Sequence, residues 1–193
     1  MSSFDESYLG VPPWDIGRPQ AEFIRAGERG EIAGDLIDIG CGTGENAIHF
    51  AARGCNVLGV DSAPRAIARA KEKAEEKHSA VEFKVWNALE LGGLGRKFDC
   101  AIDSGLFHVF SDQGRVAYVN GLSVILRPRG VYIMLCFSET EPSDWGGPRR
   151  VSKQEIEGTF SHGWRVEYIR HAKFESNFHK DGGKAWLSRI MKL

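Results

Sequence analysis

The stretch "LIDIGCGTGENAIHF", residues 36–50, starts as an apolar run, closes that run around an acid, and breaks into three alternating glycines before helix-forming residues resume. A short apolar run bounded by glycine reads as a buried parallel strand, and the residues after Gly44 read as a helix. Gly40, Gly42 and Gly44 make a tight turn without Cβ atoms in the way. A ligand can then lie against bare peptide groups at the head of the helix, beyond the carboxyl end of the strand. The spacing is GxGxG. In the dinucleotide fingerprint GxGxxG, the third glycine lets helix and strand close around a pyrophosphate. Glu45 holds that place here, and an acid disfavours a phosphate. Asp38, just before the turn, also suits a cationic ammonium better than a phosphate. A nucleoside carrying an amino-acid tail meets these demands.

Outward from this stretch, strand-like and helix-like periodicities alternate, the order that produces a parallel sheet covered by helices on both faces. Strands are predicted at 35–39, 56–60, 81–86, 98–103, 130–137 and 164–169, with a last one inside 184–193. Helices are predicted at roughly 45–53, 63–77, 112–126 and 152–159. Pro64 suits a first helical turn, and Pro128 with Gly130 stops the third helix. The second strand ends in "VLGVDSAP" and puts Asp61 at its tip. There an acid takes both ribose hydroxyls in nucleotide-binding α/β folds. The third ends in "VWNAL" and offers Asn87 as a side-chain amide near an adenine.

Composition bounds the partners. At 193 residues, the chain fits one globular domain with a substantial core. Charged residues make up 26% and the formal net charge is −1, so nothing favours nucleic acid or an anionic membrane surface. No apolar run reaches membrane-spanning length and no signal-peptide pattern opens the chain. Cys41, Cys55, Cys100 and Cys136 form no CxxC pair and read as free thiols of a reducing compartment. The histidines lack metal-ligand spacing with a nearby acid pair. The expectation is a cytoplasmic protein, monomeric or weakly dimeric, with a small-molecule partner and no metal.

Taken in order, "LIDIGCGTGENAIHFA", "VLGVDSAPRAIARAKEKA", "VEFKVWNALEL" and "FDCAIDSGLFHVF" resemble the successive motifs of the class I S-adenosylmethionine-dependent methyltransferases. A more local likeness, in "PPWDIGRPQ" and "WGGPRRVSKQEI", is to the small-molecule branch that includes thiopurine, thiol or halide, tellurite and heterocyclic-toxin methyltransferases. The resemblance implies a Rossmann-like α/β domain spanning 1–193, with 1–30 as an N-terminal cap or lid. Its sheet would have seven strands, mostly parallel with the last antiparallel, and helices on both faces. It implies S-adenosyl-L-methionine as cofactor and S-adenosyl-L-homocysteine as product. Asp38, Gly40, Gly42 and Gly44 would form the methionine-side loop and Asp61 the ribose clamp. Ser62, Asn87 and Ala88 would line the adenine, and Asp103 and Ser104 would face the methionine moiety and methyl group. Asn87 departs from the more usual aspartate.

Methyl transfer from a sulfonium to an in-line nucleophile needs little beyond proximity. A weakly acidic hydroxyl also needs a proton acceptor, and His108 in "GLFHVF" is the candidate. Trp14 and Trp145, in loops passing over the cofactor's reactive end, are candidates to roof a flat or apolar substrate, Trp14 also as a cofactor contact and His108 also as a substrate contact. Arg18, Arg149 and Arg150 are candidates for the cofactor carboxylate or an anionic substrate. The tetrapeptide of adenine and glutamine amino-methylating enzymes is absent, since "DSGL" stands after the fourth strand. Plainer roles stay open. The glycines can be a tight connection, Asp61 or Ser62 a helix cap, Asp103 with Ser104 capping residues, and His108 a hydrogen-bonded structural histidine. A non-catalytic S-adenosylmethionine binder and, less well, a nucleotide-dependent oxidoreductase are the alternative functions.

Overall fold

The computed structural model describes residues 3–193. The strands are β1 (Asp35–Ile39), β2 (Asn56–Asp61), β3 (Glu82–Val85), β4 (Phe98–Ser104), β5 (Leu126–Phe137), β6 (Trp164–Phe174) and β7 (Gly183–Lys192). They form one sheet in the order β3-β2-β1-β4-β5-β7-β6. β1 pairs in parallel with β2 on one side and β4 on the other, so the chain reverses its direction of travel across the sheet at β1. A crevice opens beyond the strand tips at such a switch point. β7 alone runs antiparallel, to both β5 and β6. The predicted seven-stranded, mostly parallel sheet is therefore present, with the last strand inserted between β5 and β6.

Helices cover both faces. α2 (Ala21–Glu28), α3 (Glu45–Ala51) and α4 (Pro64–Glu76) lie on one face, where Phe23, Ile48, Phe50 and Ile67 join Leu36, Cys100 and Ile102 in one core. On the other, α5 (Asp112–Ile125) and α6 (Lys153–Thr159) bring Tyr118, Leu122, Ile156 and Phe160 against Ile37, Ala101 and Tyr132. Alternating residues of β1 and β4 thus serve opposite cores, as strand geometry requires. A capping box at Ser152 and Glu155 starts α6. Among the described residues, no helix is long and apolar enough to cross a membrane.

Two strand boundaries differ most from the sequence expectation. β5 begins at Leu126, immediately after α5, so Pro128 and Gly130 lie inside the strand. The proline is tolerated because pairing with β4 is interrupted there, from Phe98↔Leu126 to Cys100↔Val131, with Arg129 at a φ of 64°. β6 runs on to Phe174 because β7 pairs with it as far as Gly183. Of the expected cap over 1–30, residues 1 and 2 lie outside the described residues. Phe23 and Ala26 of α2 are fully buried in the body; Asp5 of α1 (Ser3–Ser7) accepts the Arg65 amide of α4 at 2.9 Å, and residues between Tyr8 and Gln20 form a strap along the crevice.

Candidate active site

The crevice beyond β1 is half open, and the roughly 460 Å³ it spans includes open solvent at its mouth. Its floor is Gly40, Cys41, Gly42 and Thr43 with Ser104, and its roof is Tyr8, Trp14, Asp15, Ile16, Arg18 and Gln20 of the strap. The Gly40 and Cys41 amides donate to the Val60 carbonyl at 2.8 and 3.0 Å, bending the turn toward β2. Gly42 has a φ of 53°, and a Cβ built there would come within 3.0 Å of the Tyr8 hydroxyl, so only glycine keeps the turn bare. Gly44 serves another purpose. It does not line the crevice, and a Cβ there would fall 2.5 Å from the Phe83 ring, so this glycine lets α3 pack against the sheet.

The acids around the turn differ sharply. Asp38 is 1% exposed and neither carboxylate oxygen has a hydrogen-bond partner. Burial, then the neighbouring Asp103 and Asp61 carboxylates, pushes its carboxyl up to about 8; the Ala47 amide pulls the other way without meeting hydrogen-bond geometry. Asp61 accepts from the Gly42 amide (Oδ2, 2.9 Å) and the Ala63 amide (Oδ1, 2.9 Å). Its oxygens keep lone pairs for further donors. Burial raises its carboxyl while these amides and that of Ser62 oppose the rise.

Asp103 requires a correction. It is fully buried on the α5 face and turned away from the crevice. Oδ1 accepts from the Leu106 amide (2.7 Å), and Oδ2 from the Phe107 amide (3.0 Å), the Tyr132 hydroxyl (2.7 Å) and the Tyr118 hydroxyl (3.2 Å). With both oxygens engaged it anchors the turn after β4, and it is not among the residues that line the crevice. Its neighbour Ser104 does line the crevice.

His108 requires a second. It lies in a short 3₁₀ turn (Phe107–Val109), 4% exposed, stacked on Phe137 with ring centroids 5.1 Å apart and an interplanar angle of 6°. Nδ1 accepts the Phe137 amide at 3.2 Å, so the neutral ring carries its proton on Nε2. Burial, with Arg150 and Arg115 nearby, pushes the imidazole down to about 3. A ring with its one lone pair engaged and its cation disfavoured is poorly disposed to take a proton. Asn87 and Ala88, like Asp38, Asp61 and Ser62, are not among the residues that line the crevice. The Asn87 amide caps the 3₁₀ segment Ala88–Leu94, accepting from Leu89 N–H and donating to Glu90.

The strap is tied down partly through residues that sequence reasoning missed, Tyr8, Asp15, Gln20, Asn46 and Glu175. Trp14 Nε1 donates to the Tyr8 hydroxyl at 3.0 Å, and Thr43 donates to Asp15 at 2.9 Å. Asn46 accepts the Gln20 amide at 3.0 Å. Arg18 forms a two-pronged pair with Glu175 at 2.9 Å per contact, so its charge is already answered. Arg149 pairs with Asp112 and Glu155, and the Arg150 guanidinium lies 4.2 Å from the Trp145 ring centre. Glu45 lines the crevice but is neutralised by Lys73 and Lys77 at 2.8 and 3.3 Å, which weakens the argument that it repels phosphate. Trp145 packs edge-on to Phe137, 5.5 Å away, beyond the crevice's far end.

An unpaired buried carboxylate one layer beneath a bare glycine turn fits a ligand that brings a cation and lies against backbone. Residues 36–130 match the model of the methyltransferase domain family. A 2-heptyl-1-hydroxyquinolin-4(1H)-one methyltransferase of Mycobacteroides abscessus is 35% identical, the match covering 93% of this chain and 85% of that protein. The chain belongs to the S-adenosylmethionine-dependent methyltransferases. A structure solved for the conversion of a disulfide bond into a thioacetal group during echinomycin biosynthesis shares 32% identity at a TM-score of 0.88, covering 98% of this chain and 91% of that one. The magnesium protoporphyrin IX methyltransferase of Synechocystis with bound S-adenosylmethionine, 17% identical, shares the fold at a TM-score of 0.69, covering 98% of this chain and 80% of that one. This methyltransferase acts on small molecules with S-adenosylmethionine as its cofactor.

Proposed function

We propose that the methyl acceptor is a hydroxyl carried on a flat, apolar heteroaromatic ring. The observation that carries this reading is an aromatic wall at the carboxyl end of β5. Phe137 is stacked on His108 and lies 4.8 Å from Phe174 and 5.5 Å from Trp145. The wall adjoins the crevice through Gly105, next to Ser104, where a Cβ would meet the Phe174 ring at 2.8 Å and His108 Nε2 at 3.3 Å. Phe137, Phe174 and His108 are themselves buried, so the part of the wall against which a flat ring can lie is Trp145 with the exposed Phe178, 5.3 Å apart. The methyltransferase of M. abscessus, named for a hydroxyquinolone, points the same way.

Bound in the crevice, S-adenosylmethionine supplies a methyl group activated by its sulfonium charge. The chain's own part is to hold and screen. Asp38 answers a cation, the turn at Gly40 and Gly42 presents peptide groups, and Asp61 accepts from hydroxyls. Trp14 and the strap keep water off, and the aromatic wall sets the acceptor in line. With balanced charge and no basic arm, the enzyme works as a monomer or weak homodimer in the cytoplasm, without nucleic acid.

A second reading, sulfur as acceptor, is favoured by the 0.88 TM-score to the echinomycin structure. Turnover of 1-hydroxyquinolin-4-ones, hydroxyquinolines and phenols against alkyl and aryl thiols separates the two. The expected kcat/KM is higher for the ring hydroxyls by about a hundredfold or more, roughly the discrimination of about 3 kcal/mol available to a shaped apolar pocket. A preference for thiols would overturn the oxygen reading.

A further inference from the structure

Beside the aromatic wall lies a titratable pair that the reading so far does not use. Glu141, in the loop after β5, is 6% exposed. It is fixed by the Lys184 amide, which donates to Oε2 at 2.6 Å, and by Trp145 Nε1, which donates to Oε1 at 3.2 Å. His179 Nε2 faces the same Oε1 at 3.5 Å, is itself buried, and has no hydrogen-bond partner. The gap is long for a hydrogen bond. Nδ1 makes no hydrogen bond to the described residues. The ring packs edge-on to Trp145 at 4.8 Å and Phe178 at 5.0 Å, and faces Phe137 at 6.5 Å. Its loop is pinned to the strap: the Asn177 amide donates to the Pro13 carbonyl at 2.7 Å, and Asn177 Nδ2 to the Asp15 carbonyl at 2.8 Å. Asp15 lines the crevice.

We propose that His179, oriented by Glu141, takes the proton from the acceptor hydroxyl. A nucleophile, a base within reach of it, and a third group that orients the base make the arrangement by which weak oxygen nucleophiles are activated. The inference rests on the hydroxyl reading above. An oxygen lone pair forms the bond to the methyl carbon as the carbon–sulfur bond breaks, and sulfur keeps that electron pair in a neutral thioether. The hydroxyl proton passes to His179 Nδ1, Nε2–H closes on Glu141, and the proton then leaves to solvent. On this proposal His179 contacts the acceptor and is the catalytic residue, and Glu141 is a positioning residue. The other charges around the ring are Arg150, which lies over Trp145, and Lys180 and Asp181, its chain neighbours. Lys184 offers Glu141 only its amide, and Lys173 reaches the Asp181 carbonyl.

The test uses the full chain with a 1-hydroxyquinolin-4-one and with thiophenol. The parental kcat/KM for the hydroxyl acceptor should rise with pH through one imidazole ionisation. His179→Gln should lower it by roughly 10² to 10⁴ at neutral pH, the range for a lost general base, with the loss shrinking as the acceptor ionises by itself. Thiophenol turnover should change less than about threefold, because the thiolate forms unaided. Glu141→Gln should lower kcat/KM for the hydroxyl acceptor and change its pH profile, while thiophenol turnover stays within about threefold of the parent. An unchanged rate and pH profile in His179→Gln, with the hydroxyl still methylated by the parent, would overturn the role of His179 alone. A parental enzyme that methylates thiols and no hydroxyl would overturn the acceptor reading and this inference together.

Discussion

The tips of β1 and β4 lie side by side, Ile39 paired with Asp103, and each carries a buried aspartate. Asp103 receives four hydrogen bonds from two amides and two tyrosines, whereas Asp38 receives none. Strand alternation separates them. Asp38 shares a face with Leu36, beneath the glycine turn and α3, while Asp103 shares a face with Ala101, against Tyr118 of α5. Burying a carboxylate costs several kcal/mol unless donors answer it. The satisfied acid belongs to the fold, and the unsatisfied one marks where a cationic ligand is expected. Residue type and burial are the same at both tips, so hydrogen-bond satisfaction is what tells structure from site.

The largest effect that could break this contrast is at Asp103. Asp103→Ala strands four buried donors and opens a void, and losses of such buried networks run to roughly 3–5 kcal/mol. For a chain of this length, that is a fall in Tm of about 6–20 °C. Cofactor affinity measured by calorimetry below the transition should stay within about threefold. A variant that melts like the parent but fails to bind S-adenosylmethionine would put Asp103 in the site after all.

Asp38 should behave in the opposite sense. Asp38→Asn keeps the shape and removes the charge, so cofactor affinity should fall by roughly 10- to 150-fold, the 1.5–3 kcal/mol of a hydrogen bond to a charged group. Stability should hold or rise. The free protein keeps this proton up to about pH 8, while an unfolded carboxyl loses it near pH 4. The folded state therefore binds more protons between those values, and Asp38 costs stability that accumulates from about pH 4 to 8 and then levels off. Asp38→Asn should flatten that slope in denaturant titrations. In the parent, cofactor affinity should rise over the same window, with proton release detectable in buffers of different ionisation enthalpy. Affinity independent of pH from 6 to 9 would remove the ammonium partner.

How much of this was legible follows from where each feature is encoded. The glycine turn, the sheet and the tip of β2 are written in contiguous residues, so "DIGCGTG" and "VLGVDSAP" carried them. The opposite faces of Asp38 and Asp103 were also available, by counting parity along "LIDI" and "CAID", but an acid at a strand tip drew attention to its type before its direction. The acceptor side was not legible. Glu141 and His179 lie 38 positions apart and meet only because β7 pairs back on β5. Trp14 and Tyr8 reach the crevice through a strap whose ties, Arg18 to Glu175 and Asn177 to Pro13, span more than 150 residues. No local periodicity records such contacts.

The smallest expected effect concerns the third buried titratable group at these tips, His108. Like Asp103 it is satisfied, through Nδ1, and like Asp103 it stood in the sequence where a catalytic group was sought. His108→Asn sets a side-chain oxygen about where Nδ1 lies, preserving the acceptor for the Phe137 amide. What is lost is the stacking on Phe137, about 0.5–1.5 kcal/mol, a Tm change of a few degrees. The parental imidazole is held down to about 3, against 6.5 in an unfolded chain. The unfolded state thus binds the extra proton between those values, and the stability that neutral His108 contributes is complete above about pH 6.5 and drains away as pH falls toward 3. His108→Asn should remove that acid-side loss. On catalysis it should do little: kcat/KM within about threefold of the parent, with the same pH profile. A loss of a hundredfold that vanishes at high pH, in a variant melting within a few degrees of the parent, would return the proton transfer to His108 and leave the satisfied groups no longer separable from the site.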